Sequence, residues 1–310
     1  MEFIDRWKKR NESRIKETKF TVNLFRHSLL SMVGLTLILF MVFIAIFAPF
    51  LAKDHPEYAK LVNPQGKMVE EQRWELHFDE KLEGPSWEHP LGTDDYGHDI
   101  YSMIVYGSRI SIKIAIEVVL IATVVGVLLG SLAGYFGGKV DEIVMRITDI
   151  FFSIPYLILA MAFVAALGRS IEHVMWAMII VWWPGYTRLI RGQVLKTREE
   201  TYIEAARSLG TSDLKIVFRH ILPNSFAPVF VQMTMDVGSV VLTAAGLSFI
   251  GLGAPPGTAE WGIMVSLGRT YIFQAYWYVT FPGIAIALFV LGFNLLGDGL
   301  RDVMDPKLRR

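Results

Sequence analysis

Few residues in this chain have the types and spacing that chemistry requires. Gly137-Gly138-Lys139 carries the Gly-Lys of a phosphate-cradling loop. That loop also needs a Gly ahead of four intervening residues and a hydroxyl after the Lys, and Ala133 and Val140 occupy those places. Gly246-Leu247-Ser248 opens like a nucleophile elbow, but Phe249-Ile250 breaks the spacing and no strand leads into it. His55, His77, His89 and His98 stand among carboxylates at intervals that match no metal-ligand pattern, and read as solvated loop histidines. There is no cysteine, which removes disulfides, thiolate metal sites and thiol nucleophiles. The expectation is therefore no catalytic residue, no metal site and no enzyme.

Polar groups inside apolar runs are the next suspects, because burying charge in hydrocarbon is costly. Lys113 and Glu117 are four residues apart and can neutralise each other on a helix. Asp149 lies near Arg146 and ahead of Pro155, which reads as an interfacial ion pair followed by a proline kink. Asp236 has no such neighbour. With Gln232 and Thr243 it is a candidate for lining a hydrated translocation path, and bonding of Asp236 to a neighbouring helix stays equally open.

One stretch, residues 201–224, is polar, basic and punctuated like two short helices. Thr201 and Glu204 have the form of a capping box. Gly210 sits where a left-handed helix stop belongs. Thr211 or Ser212 can cap the next helix, and Pro223 ends it. Tyr202, Ala206 and Leu209 share a face, giving the first helix a side to bury. Ala205 and Ala206 permit close approach. Spacing alone leaves two readings open: a helix lying on lipid headgroups, or a peg that docks into a soluble partner.

The elements that hold these residues are membrane spans. The chain has 310 residues, 53% of them apolar, and a mean hydropathy of +0.40. Apolar runs near the roughly 20 residues that cross a bilayer occur at 29–51, 112–136, 147–167, 174–190, 226–250 and 277–296, predicting an all-α protein of about six transmembrane helices. Net charge is zero, but its distribution is uneven. Arg6, Lys8, Lys9, Arg10, Arg14, Lys16, Lys19 and Arg26 precede the first span. Arg191, Lys196, Arg198, Arg207, Lys215 and Arg219 surround the 201–224 stretch, and Arg301, Lys307, Arg309 and Arg310 end the chain. Residues 53–99 are strongly acidic. Positive segments stay inside, so both termini and the 201–224 stretch are expected in the cytoplasm and the acidic loop outside. The first apolar run is too long for a signal peptide and is read as retained. The organisation is a basic N-terminus (1–27), a first transmembrane helix (28–52), an external acidic loop (53–109), a core of five helices (110–300) containing a cytoplasmic loop (191–225), and a tail (301–310). Trp261, Tyr271, Tyr276, Trp277 and Tyr278 read as an interfacial aromatic belt, next to a helix end and stiff turn at 246–256.

Four motifs, in order, carry a resemblance. Glu204-Ala205-Ala206, Gly210 and Leu222-Pro223 resemble the EAA loop of bacterial ABC-importer permeases, with His220 where an Ile is usual and Ile221 one place later. His89-Pro-Leu-Gly92-Thr93-Asp94, then Gly97-His98-Asp99 and Gly107-Ser108-Arg109, is similar to the signature of peptide-importer permeases, with His98 and Met103 where Arg is common. The runs 246–262 and 293–309 follow the same pattern, and 54–87 is the least matched part. The resemblance implies the C-type permease subunit of an oligopeptide or dipeptide importer, with a type I ABC-importer permease fold in the bacterial cell membrane. It implies that Glu204, Ala205, Ala206, Gly210, Leu222 and Pro223 couple to an ATPase, and that Gly92, Thr93, Asp94 and Asp99 lie where a substrate-loaded binding protein docks. Implied partners are a second homologous permease, two cytoplasmic ABC ATPases that bind ATP and Mg, a peptide-binding protein and the bilayer, with no nucleic acid and no cofactor in this chain. The same resemblance covers permeases for nickel chelates, glutathione or sugars. An ion-coupled secondary transporter would draw support from Asp236 alone.

Overall fold

The computed structural model describes residues 23–62 and 68–304. The basic residues before position 23, and Lys307, Arg309 and Arg310, lie outside them. Helix α1 (Leu29–Leu51) is capped by Ser28, whose Oγ accepts from the Ser31 amide at 3.3 Å. It buries a narrow stripe of Ser31, Gly34, Met41, Ala45 and Ala48 and exposes apolar side chains elsewhere, as a helix facing lipid does. An antiparallel hairpin follows, β1 (Glu57–Val62) with β2 (Met68–Arg73), in a register that pairs Glu57 with Arg73 and Val62 with Met68. It is the only sheet among the described residues and lies in the acidic loop; the bundle itself is all α.

Helix α2 (Ile100–Phe136) runs 37 residues and starts at Ile100 rather than at 112. Gly107 and Ser108, expected just ahead of the span, are buried within it, Gly107 against Ala259 and Trp261. The next expected span is broken instead of kinked. Helices α3 (Gly138–Phe152) and α4 (Tyr156–Leu167) meet at 86° across Ser153–Pro155, because Pro155 has no amide to continue the ladder. Helix α5 (Ile171–Thr197) contains Pro184 and forms with α2 the largest interface in the bundle. Short helices α6 (Thr201–Ser208), α7 (Asp213–Ile216) and α8 (Leu222–Ser225) make up the polar stretch. Then come α9 (Ala227–Phe249), α10 (Trp261–Gly268) and α11 (Trp277–Met304).

Four of these helices, α1, α2, α9 and α11, are long and apolar enough to cross a membrane, and the bent α3–α4 pair makes five. Helix α5 has the length, at 27 residues, but a more mixed composition. Two apolar cores divide the bundle. One joins α1, α2, α4, the first half of α5, α9, α10 and α11 towards the acidic loop; the other joins α2, α5 and α9 to Ile203, Ile216, Val217 and Ile221 of the polar stretch.

The α2–α5 contact is built on glycine. Gly126, Gly130 and Gly134 recur every four residues along one face of α2 and lie directly against the α5 backbone at Trp183, Thr187 and Arg191. Small residues at this spacing let two helices approach closely enough for dispersion to hold them where lipid offers no hydrophobic drive.

Candidate functional site

The polar stretch is a compact knob seated on the bundle. Helix α6 starts after Glu200, and no side chain caps it. The expected Thr201–Glu204 capping box is therefore absent: Thr201 is already helical, and the Ile203 and Glu204 amides bond to the Glu200 carbonyl. Its C-terminus is as expected. Gly210 has φ +77°, and bonds from Gly210 N to Arg207 O (2.9 Å) and from Thr211 N to Ala206 O (3.1 Å) close a Schellman motif. Ser212 precedes α7 without a side-chain cap. Pro223 does not stop the next helix but widens it. The π-helical turn Val217–Ile221 precedes α8, and the Leu222 amide reaches back to the Val217 carbonyl. A proline ring clashes with the carbonyl four residues earlier, and the wider turn gives it room.

The buried face of α6 is not the expected one. Ile203 is the residue that enters the core, at 0% exposure, with Ala206 and Leu222 partly covered beside it. Tyr202 and Leu209 point outwards, Leu209 at 86% exposure, and Leu214 and Phe218 join them. Glu204, Ala205 and Pro223 are exposed as well. The knob thus offers an apolar, solvent-reaching surface although Ile203 already anchors it.

Polar contacts fix the knob to the transmembrane helices. The Tyr135 hydroxyl at the end of α2 donates to Asp213 at 2.6 Å, and the Arg207 guanidinium lies over the Tyr135 ring at 5.7 Å. Arg198 donates to the Gly134 carbonyl at 2.9 Å. Arg191 of α5 makes a two-pronged contact with Asp141 of α3. Asp149 pairs with Arg188 of α5 rather than with Arg146, which lies 3.9 Å from Glu142. Lys113 and Glu117 form no ion pair among the described residues. Sequence spacing gave no access to Tyr135, Asp213 or Ile203, which meet only once α2 and the stretch are packed.

At the opposite end the Gly92–Asp99 run is an internal framework. Gly92, Thr93, Asp94 and Asp99 are all buried, so none presents its side chain to a docking protein. Asp94 accepts from the amides of Tyr96 and His98 (2.8 Å each) and from His98 Nδ1 (2.7 Å). Asp99 caps α2 through the Ser102 amide at 2.8 Å and contacts His89 Nδ1 at 3.2 Å. Ser102 Oγ in turn accepts the amides of Lys53 and Asp54, tying the exit of α1 to the entry of α2. His89 and His98 are correspondingly buried, not solvated.

The expected aromatic belt is partly interior for the same reason. Trp277 Nε1 donates to the Thr93 carbonyl at 3.2 Å, Trp261 Nε1 to the Ile104 carbonyl at 3.0 Å, and Tyr278 Oη to Asp95 at 3.1 Å. Desolvation, then the neighbouring Asp94, pushes the Asp95 carboxyl above the ordinary range. Replacing Asp99 by Ala should remove the α2 cap, worth about 1 kcal/mol, and lower the melting temperature of the detergent-purified protein by about 2–4 °C. Asp99→Asn, which keeps an acceptor, should stay close to wild type.

The candidate path residues separate. Gln232 Nε2 donates to Asp236 Oδ1 at 2.9 Å on the uncovered side of α9. Thr243 is buried and donates to the Ser239 carbonyl at 2.8 Å within its own helix. Helix α9 ends in a second Schellman motif at Gly251, in agreement with the expected helix end.

Comparison with known proteins agrees with this architecture. The model of the binding-protein-dependent transport system inner membrane component family matches residues 126–310, and that of the N-terminal TM domain of oligopeptide transport permease C matches 22–67. The dipeptide transport system permease protein DppC of Alkalihalophilus pseudofirmus is 45% identical over 90% of this chain and 86% of its own. The probable D,D-dipeptide transport system permease protein DdpC of Escherichia coli K12 is 44% identical over 94% of each. The glutathione transport system permease protein GsiD of Pectobacterium atrosepticum is 47% identical over 75% of this chain and 77% of its own. Among solved structures, an inward-facing MetNI methionine ABC transporter chain shares the fold with a TM-score of 0.55 at 19% identity, over 66% of this chain and 98% of that one. With a family match over more than half its length and relatives this similar over most of it, the chain belongs to the binding-protein-dependent transport system inner membrane components.

Proposed function

We propose that the chain is the transmembrane permease subunit of an ATP-driven, binding-protein-dependent peptide importer, taking oligopeptides or dipeptides. The observation that carries this reading is the knob: a short helix anchored by Ile203, bent at Gly210, with Leu209 held out in solvent. Such a surface suits the cleft of a motor subunit. Tyr135–Asp213 and Arg198–Gly134 give it stiff links to α2, so displacement of the knob tilts the helix. One chain offers one knob, and two ATPases need two; a second, related permease completes the path. ATP and Mg bind in the ATPases. The Gly92–Asp99 run shapes the surface that receives the binding protein, with contact made by exposed neighbours such as Tyr96. The basic residues around the knob and near both chain ends support a knob and termini on the inner side of a bacterial plasma membrane. The GsiD relatives favour glutathione, itself a small peptide, as the second substrate reading.

The absence of native cysteine makes a direct test simple. A Leu209→Cys variant should react with a membrane-impermeant maleimide only from the nucleotide side. It should also cross-link to the ATPase subunit in the assembled importer. Labelling from the exterior, or an importer whose knob stays fully reactive with both ATPases bound, would overturn the assignment.

A further inference from the structure

Near the middle of α9 a carboxylate lies where it is costly. Asp236 is half-buried, and the polar side chains that bear on it are Tyr186, Gln232 and Trp182, all neutral. No Lys, Arg or His forms an ion pair with it among the described residues. The opposite side of α9 is occupied, since a Cβ on Gly238 would lie 3.3 Å from the Val290 backbone of α11, and Met235 packs against Gly297. Asp236 and the exposed Gln232 therefore look away from α11, towards α2 and α5. A carboxylate at this depth is untenable against lipid tails and belongs to a hydrated or partner-lined surface.

Beside it sit two buried hydroxyls with unmet bonding capacity. The Tyr186 hydroxyl, on a residue 1% exposed, and the Thr123 hydroxyl, on one 4% exposed, make no hydrogen bond of full geometry among the described residues, while Tyr186 lies close enough to interact with both Asp236 and Thr123. Both neighbour the carboxylate or each other. Leaving such groups unsatisfied is expensive, and three helices converge to gather them: α2 with Thr123, α5 with Trp182 and Tyr186, and α9 with Gln232 and Asp236. Because the Gln232 amide already donates to Asp236, its carbonyl remains as a further acceptor.

We propose that Asp236, Tyr186, Thr123 and Gln232 form a transient site for an ammonium group of the passing substrate, either the peptide α-amine or a lysine-type side chain. A primary ammonium carries three donors and one positive charge, which matches a carboxylate surrounded by oxygen acceptors. The neutral neighbours leave the carboxylate charge for the substrate to meet. The site rests on the import reading above and adds a selectivity step, inside the membrane, to whatever the soluble binding protein selects.

The test uses the complete importer in proteoliposomes with four probes: Ala-Ala-Ala, its N-acetyl derivative, Ala-Lys-Ala and Ala-Met-Ala. The affinity of the binding protein for each is measured separately, so that uptake is compared at matched receptor occupancy. Wild type should move the better-charged member of a pair about tenfold faster, the scale of one charge-assisted hydrogen bond. A preference within the acetylated pair identifies the α-amine, and one within the Lys–Met pair identifies a basic side chain. Asp236→Asn should erase the preference while sparing uptake of the uncharged member, and Asp236→Glu should restore it. No preference in wild type, or an equal slowing of every probe in Asp236→Asn, overturns the site and leaves the import reading standing. Failure of wild type to take up any of the four overturns the import reading itself, and the site with it.

Discussion

Val at position 130 should eliminate the folded protein from the membrane. A Cβ on Gly130 would lie 2.3 Å from the Thr187 carbonyl oxygen and 2.5 Å from Ile190 Cγ2. The first obstacle is backbone, which cannot rotate away. Helices α2 and α5 would have to separate along their largest interface, loosening the neighbouring contacts of Gly126 with Tyr186 and of Gly134 with Val194. Overpacking costs about 1–3 kcal/mol in ordinary cores, and a carbonyl as the obstacle puts this site at the upper end. The outcome is read as monodisperse, detergent-extracted protein by size-exclusion chromatography. Gly130→Ala should fall between wild type and Val, because Cβ alone already clashes. Gly192→Val on α5 is the control: nothing lies within 4 Å of its Cβ position, and yield should be near wild type. Equal loss in both variants would mean that helix propensity, not close packing, sets the effect.

The same glycines show what the sequence could and could not disclose. Gly-x-x-x-Gly-x-x-x-Gly at 126–134 is a legible packing signal in an apolar helix, yet nothing in it names α5 as the helix it meets. The C-terminal ends of α2 and α9 were legible because an apolar run stops at a glycine with positive φ, Gly137 and Gly251. The start of α2 was not, since Ile100–Ser111 mixes Gly, Ser and Arg that read as a turn until α10 covers them. The face of α6 inverted for a related reason. Periodicity identifies apolar positions but does not distinguish a surface that meets its own chain, as Ile203 does, from one kept for another protein, as Leu209 is. Ion pairs failed where the partner is distant in sequence: Arg146 is three residues from Asp149, but Arg188 of α5 takes the contact. In the sequence His89 and His98 look solvated because loops usually are, whereas Trp74, Trp277 and the carboxylates around them close this loop into a small core.

Gly210→Val should disconnect ATP hydrolysis from uptake while leaving the importer assembled. Gly210 has φ +77°, and a Cβ there would meet nothing within 4 Å. No steric contact is lost or gained, so the effect lies wholly in the backbone. A β-branched residue in the left-handed region is strained by about 1–2 kcal/mol. Releasing that strain opens the Schellman bonds from Gly210 to Arg207 and from Thr211 to Ala206. Helix α6 then loses its fixed angle to α7, while Ile203 and the Tyr135–Asp213 bond, which lie on either side of the bend, still hold the knob to the bundle. The push from the motor is absorbed at the bend instead of reaching α2. Uptake per ATP should fall by about tenfold, the equivalent of 1.4 kcal/mol, with ATPase activity and subunit stoichiometry unchanged. The decisive comparison is Gly210→Asn, since Asn tolerates the left-handed region far better than Val at a larger size than Ala. Coupling restored by Asn assigns the defect to φ. An Asn variant as uncoupled as Val would show instead that any side chain obstructs the seat in the partner, which would move the role of Gly210 from the bend to the interface.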